Sequence, residues 1–219
     1  AIFIWLTANI AYDTEAYFAG TGAAYAPESV LRRRKSVCEG YARLYKAIGE
    51  TAGLVVDQVT GYAKGYGHVT GSPIEGTNHA WNRVLIGDEW LFIDATWGAG
   101  SVNGRSFERR FNEFYFDPEP EALIFSHLPS EPALQHLAQP VSRSEFSAFP
   151  EIPEELFVLG LDPAPVLETL RSGKKYSPPR AYAPPGLEES SIVAVEIPWD
   201  GRLRRGQEYH FVLEIDPPL

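Results

Sequence analysis

Two runs rich in β-branched and aromatic residues, Thr77 to Ile86 and Glu89 to Trp97, flank Gly87-Asp88 and constrain the fold more than any other part of the chain. The dipeptide between them predicts a tight hairpin. With Ile86 opposite Glu89, one face carries His79, Trp81, Leu85, Trp90 and Phe92, and the other carries Val84, Ile86, Leu91, Ile93 and Trp97. A sheet that is apolar on both faces must be covered on both. The same register sets His79 opposite Thr96 and Trp81 opposite Asp94. His79 and Asp94 are then diagonal neighbours about 7–8 Å apart at the backbone, a gap that an imidazole and a carboxylate can bridge. A slip of one residue would send them to opposite faces.

The chain has one cysteine, Cys38, in Ser36-Val37-Cys38-Glu39-Gly40-Tyr41-Ala42. A lone thiol can form no internal disulfide and cannot build a zinc site alone, which leaves catalysis or an inert buried side chain. Ser36 followed by Glu39 reads as a capping box, predicting a helix from about Val37 to Ala52. Tyr41, Leu44, Tyr45 and Ile48 recur at helical spacing along it, and Gly53 supplies a left-handed stop. Cys38 then lies in the first turn, where free backbone N–H groups and the helix dipole favour thiolate over thiol. The basic run Arg32-Arg33-Arg34-Lys35 would push the same way if it faced the sulfur, but such a run is more simply a solvated face. A helix that brings Cys38 to His79 is expected to cover the His79 face of the hairpin.

Three motifs now stand in order: Val37-Cys38-Glu39-Gly40-Tyr41-Ala42, Asn78-His79-Ala80-Trp81-Asn82 and Ile93-Asp94-Ala95-Thr96-Trp97-Gly98. Together they resemble the transglutaminase-like superfamily, and within it the branch of the kyphoscoliosis peptidase and its bacterial relatives. Trp5 to Asp13 resembles that branch's opening helix, and Phe114-Tyr115-Phe116 with His127-Leu128-Pro129 resembles its closing segment. Where that segment has a tryptophan after the His-Leu-Pro unit, this chain has Leu134. The resemblance implies an α+β, papain-like core over residues 1–150, with the nucleophile on a helix packed against an antiparallel sheet that carries the histidine and the aspartate. Some members of the superfamily have lost the nucleophile or the histidine and act as scaffolds. Here all three positions are filled, which implies an enzyme.

The remaining sequence sets bounds. A chain of 219 residues with 44% hydrophobic content can bury one good core and a smaller second unit. Its formal net charge of −10 argues against nucleic acid as a partner, and no apolar run approaches the length of a membrane span. The chain neither begins with methionine nor contains one. It therefore reads as a fragment, from which neither a signal peptide nor a compartment can be inferred. Gly65 to Gly76 reads as a flexible loop that either borders the substrate cleft, the preferred reading, or is a plain surface connection. His68 within it has no common metal-ligand spacing to His79 and Asp94, and neither metal nor cofactor is expected. After Pro150 the prolines multiply and two strand-like runs, Ser191 to Ile197 and Glu208 to Ile215, are joined by a turn at Asp200-Gly201. Residues 151–219 thus read as a proline-rich β segment. It is either an incomplete β-sandwich module of the kind that often follows the core in the resembling branch, or a linker with a docked strand pair.

The chemistry expected is acyl transfer through a thioester on a protein or peptide amide, with catalytic Cys38, His79 and Asp94, and with Trp81 and Trp97 walling the cleft. Peptidase or protein hydrolase is the leading reading. Transglutaminase or deamidase activity, and a non-catalytic protein-binding module on the same fold, are the alternatives. The Cys38 backbone N–H is one expected oxyanion donor. In crosslinking transglutaminases the second is a tryptophan upstream of the nucleophile, and Trp5 occupies a loosely similar place.

Overall fold

The computed structural model describes residues 1–178, 191–196 and 205–216. Helix α1 (Ile2–Asn9) leads through strand β1 (Ala11–Tyr12) into the short helices α2 (Thr14–Ala19) and α3 (Pro27–Arg33). Strand β2 (Lys35–Ser36) then runs parallel to β1, with Ala11 beside Lys35 and Tyr12 beside Ser36. The cysteine helix α4 (Cys38–Thr51) follows, then β3 (Val55–Ala63), β4 (His79–Ile86), β5 (Glu89–Ile93) and a small hairpin of β6 (Gly100–Asn103) and β7 (Ser106–Arg109). Helix α5 (Pro120–Leu123), strand β8 (His127–Pro129) and helices α6 (Arg143–Ala148), α7 (Glu154–Val158) and α8 (Pro163–Arg171) come next.

The central sheet is antiparallel, in the order β5-β4-β3-β8. The expected hairpin register holds from Ile86–Glu89 to Asn82–Ile93. There the strands part, because Ile93 bridges to Phe116 and the Asp94 N–H turns to the Tyr115 carbonyl at 2.9 Å. Thr96 and Trp97 therefore never join the ladder.

Both faces of the sheet are covered, but the cysteine helix covers the one not expected. Tyr41, Leu44 and Tyr45 of α4 share a core with Val56, Val84 and Ile93, together with Phe3, Leu6 and Ile10 of the N-terminal segment. That is the face opposite His79. The buried Asn82 amide ties the two layers by donating to the Ala42 carbonyl at 3.0 Å. The His79 face is covered instead by Leu123 of α5 and by Leu134, which pack on Val59, Trp81 and Phe92. Leu134 thus fills space beside Trp81. The reason for the reversal lies in position along the strand. His79 is the first residue of β4, and although α4 packs on the opposite face, its first residue, Cys38, is near enough to sense the ring's charge.

The capping box is also absent. Ser36 lies buried in β2, and its hydroxyl is spent on the Ala24 carbonyl. Glu39 pairs with Arg43 at 2.6 Å and accepts from Gln58 at 2.8 Å. Helix α4 begins at Cys38 with Val37 as its cap and no capping side chain. Its other end matches expectation, since Gly53 has φ 84 and the Leu54 N–H returns to the Gly49 carbonyl. Gly40 lets the first turn press against its surroundings, because a Cβ there would lie 2.0 Å from Ser36 Oγ and 2.7 Å from the Ala24 carbonyl. The opening helix ends at Asn9, earlier than expected, and Asp13 instead caps α2 by accepting from the Ala16 N–H at 3.2 Å.

Beyond Pro150 the expected β segment is helical up to Arg171. Leu156, Leu161, Val166 and Leu167 share one apolar cluster with Ile124, Phe125, Leu128, Phe146 and Phe149. The prolines open helices there rather than breaking strands: Pro163 stands in the first turn of α8, where its missing N–H costs nothing, and Asp162 caps that turn. Further on, β9 (Ser191–Glu196) and β10 (Val212–Asp216) pair antiparallel with a register shift between Val212 and Leu213. The turn expected at Asp200-Gly201 lies outside the described residues. Among the described residues no helix is long and apolar enough to cross a membrane.

Candidate active site

Three elements converge on His79. Strand β4 supplies it, and Asn78 fixes where that strand begins. The Asn78 side chain accepts from the Ala63 N–H at 2.7 Å and donates to the Ala63 carbonyl at 2.9 Å, extending the β3 ladder past the last backbone pair, Gly61 with His79. Gly61 has to be glycine, since a Cβ would lie 2.1 Å from the Leu128 carbonyl and 2.8 Å from the Trp81 ring.

The second element is the turn after β5. Asp94 Oδ1 accepts from the backbone N–H groups of Thr96 at 2.8 Å and Trp97 at 3.2 Å, which clamps the carboxylate. Its other oxygen, Oδ2, accepts from His79 Nε2 at 2.7 Å. The third element is the start of α4. There the Cys38 thiol lies near enough to the His79 ring and the Ala80 backbone for both to favour its thiolate. With Nε2 committed to Asp94, Nδ1 is the ring nitrogen left for other partners. The link between His79 and Asp94 is thus a direct hydrogen bond, and the thiol is coupled to the same ring through its charge.

Burial and neighbouring charge compete at each of these groups. Burial alone would lift the Cys38 thiol pKa, but the hydrogen bond and charge of His79 outweigh it, and the net direction is down. Burial would likewise depress His79, yet Asp94 and the sulfur push it up to about 10. Asp94 is 3% exposed. Burial works against its charge, but His79 and His127 hold its carboxyl well below the usual carboxylate range. The basic run plays no part at the sulfur: Arg33 bonds the Gly22 carbonyl, Arg34 lies over the Trp5 ring and Lys35 pairs with Glu15 and Asp13.

A cleft of about 1210 Å³ opens beside His79. Trp97 and Thr96 line it, with Tyr12, Phe114 and the loop around Tyr66. The glycine-rich loop thus borders the cleft, as anticipated. Cys38 is half-buried and does not itself line the cleft, whereas its neighbours His79 and Tyr12 do. The two tryptophans separate in role. Trp97 is part of the wall, its ring 5.6 Å from that of His79. Trp81, 1% exposed, is a core residue whose ring stacks on His79 at 5.8 Å, so it is no cleft wall. Trp5 packs against the first core under Arg34 and does not line the cleft.

The sequence places His127 only in a closing segment, yet it sits inside the site. Fully buried, it places Nε2 3.0 Å from the same Asp94 Oδ2, and its ring is 4.5 Å from that of Trp97. A signal was available: a histidine within Leu123-Ile124-Phe125-Ser126-His127-Leu128-Pro129 is polar where only core is expected. One ligand atom from each of His79, Asp94 and His127 lies within 4.8 Å of the others. The nitrogen–oxygen separations of 2.7 and 3.0 Å are hydrogen-bond lengths. They are shorter than the roughly 3.3 Å between ligands at tetrahedral zinc, so the cluster is a hydrogen-bonded one.

Residues 1–95 match the family model of the transglutaminase-like superfamily. The kyphoscoliosis peptidase of Mus musculus is 38% identical over 149 residues, covering 67% of this chain and 22% of that protein. Hillarin of Drosophila melanogaster is 27% identical over 149 residues, covering 62% of this chain and 18% of that protein. A solved structure described as a TGase aligns at 22% identity over 52% of this chain and 29% of that one, with a TM-score of 0.35. The chain thus spans about a fifth of the length of the curated relatives it matches.

Proposed function

Because this chain carries a transglutaminase-like domain, we propose that it is a cysteine-dependent acyl-transfer enzyme acting on protein or peptide amides, and that its reaction is hydrolysis. The observation that supports the reading is the 2.7 Å hydrogen bond from His79 to Asp94, with the chain's single thiol near enough for His79 to lower its pKa. In the proposed cycle the thiolate attacks the amide carbonyl, and the backbone N–H of Cys38 at the uncapped helix start stabilises the oxyanion. As the C–N bond breaks, His79 passes its Nδ1 proton to the departing amine. Water, deprotonated by the same nitrogen, then cleaves the thioester. Asp94 keeps Nε2 protonated throughout. For the second oxyanion donor the proposal names Tyr12. Its register beside Ser36 sets it next to the nucleophile's segment, it lines the cleft, and the charge of Cys38 adds to burial in raising its pKa.

A second reading, a binding module that grips a protein partner without turnover, is favoured by one observation: Cys38 does not itself line the cleft. Incubation with a protein substrate and a fluorescent primary amine, followed by mass spectrometry, separates the possibilities. Peptide-bond cleavage supports the hydrolase. A gain of one mass unit at glutamine would make the protein a deamidase, and amine incorporation a transglutaminase. No change in the substrate, with Cys38 unreactive to iodoacetamide at mildly acidic pH, would leave the binding module.

A further inference from the structure

Asp94 Oδ2 accepts two hydrogen bonds, one from each of two histidines: 2.7 Å to His79 Nε2 and 3.0 Å to His127 Nε2. An ionised carboxylate only accepts, so both nitrogens carry hydrogens. His127 is neutral, because burial holds its pKa below the ordinary histidine value. Its one hydrogen is therefore on Nε2, and Nδ1 accepts from the Ser126 hydroxyl at 2.8 Å. A chain of donors thus runs from Ser126 through His127 to the oxygen that His79 uses. With the two backbone N–H groups on Oδ1, the carboxylate is surrounded by four protein donors.

We propose that His127 is a positioning residue which, by donating to the shared Asp94 oxygen, keeps Asp94 from binding the His79 imidazolium too tightly. The inference rests on the acyl-transfer reading of the site. An imidazolium paired with an undiluted carboxylate would be a weaker acid and would surrender its Nδ1 proton to the leaving amine more slowly. A second donor on the same oxygen spreads the negative charge and lowers the carboxylate's pull. Orientation does not require His127, because Thr96 and Trp97 already clamp the carboxylate through Oδ1. The other titratable groups facing the pair are Cys38 and Tyr41 on α4, Tyr12 on β1 and Tyr115 in the segment after β7. All three phenols are raised by burial and remain neutral.

The chain's single thiol makes the test direct, since alkylation by iodoacetamide reports Cys38 alone. The rate is measured against pH for the wild type, His127→Phe, His127→Gln and Ser126→Ala, with amide turnover in parallel. His127→Phe removes the donor. It is expected to move the onset of thiolate reactivity down, and the alkaline limit of turnover up, each by about half a unit to one unit. kcat should fall about tenfold with KM unchanged. His127→Gln restores an N–H donor and should return both limits to the wild-type values. Should His127→Phe fail to fold, Ser126→Ala weakens the same donor and should give a smaller shift of the same sign. A shift of opposite sign, or equal profiles for the Phe, Gln and wild-type proteins, overturns the role of His127 while leaving the acyl-transfer reading intact. A wild-type thiol unreactive below neutral pH overturns both.

Discussion

His79 Nε2 meets Asp94 Oδ2 at 2.7 Å although Asp94 lies one residue beyond the last paired position of β5. The meeting is not made by the hairpin ladder, which stops at Asn82 with Ile93. It is made by the turn that follows, where the Thr96 and Trp97 N–H groups seize Oδ1 and leave Oδ2 free to face the ring.

That division of labour ranks the residues. Cys38→Ala should abolish turnover, and His79→Ala should leave a thiol whose deprotonation depends on the helix start alone. Asp94→Ala should cost least of the three, by roughly 10²–10⁴ in kcat, since both reacting groups survive. Steady-state kinetics on the three variants give the order. Unchanged turnover in Cys38→Ala would end the catalytic reading.

Tyr12→Phe should lower kcat about tenfold or more with little change in KM, as expected for a donor used in the transition state. The thiol's alkylation rate should stay within about threefold of the wild type, because the His79 contact that sets its ionisation is untouched. Loss of thiol reactivity instead would make Tyr12 a packing residue.

Stability should follow pH through the same pair. His79 is raised from 6.5 to about 10 in the folded state, so its contribution is complete below 6.5 and is lost as pH rises through about 10. Asp94 has the opposite sign: depressed in the folded state, it stabilises above its unfolded value of 3.8 and loses that contribution on further acidification. Melting temperatures of the wild type and His79→Gln should therefore converge between pH 6.5 and 10, the wild type losing more. Parallel curves would contradict the pairing.

Gly61→Ala should destabilise the fold by about 2 kcal/mol or more, since the new methyl meets a backbone carbonyl and the Trp81 ring rather than a movable chain end. Gly53→Ala, which meets nothing within 4 Å, should cost only the strain of its φ of 84, about 1 kcal/mol. Urea denaturation compares them, and equal losses would refute the close approach at Gly61.

Much of this was legible in local pattern. Helical spacing at Tyr41, Leu44, Tyr45 and Ile48 and the Gly87-Asp88 turn are properties of short stretches, and each found its expected element. The places where expectation failed are those where distant segments compete for one group. Ser36 looked like a helix cap, but the neighbouring strand β1 and the Ala24 carbonyl claimed it. The face that α4 covers depended on His79 standing at the strand's end, which periodicity alone does not reveal, because both faces are apolar. His127 is 33 residues from Asp94 and shares its oxygen only because β8 pairs with the end of β3 that His79 also adjoins. Local chemistry in the chain selected the reacting residue types and their elements. Which donors surround a buried carboxylate was decided by tertiary packing, since a charge removed from water takes its partners from whatever segment the fold brings within hydrogen-bond reach.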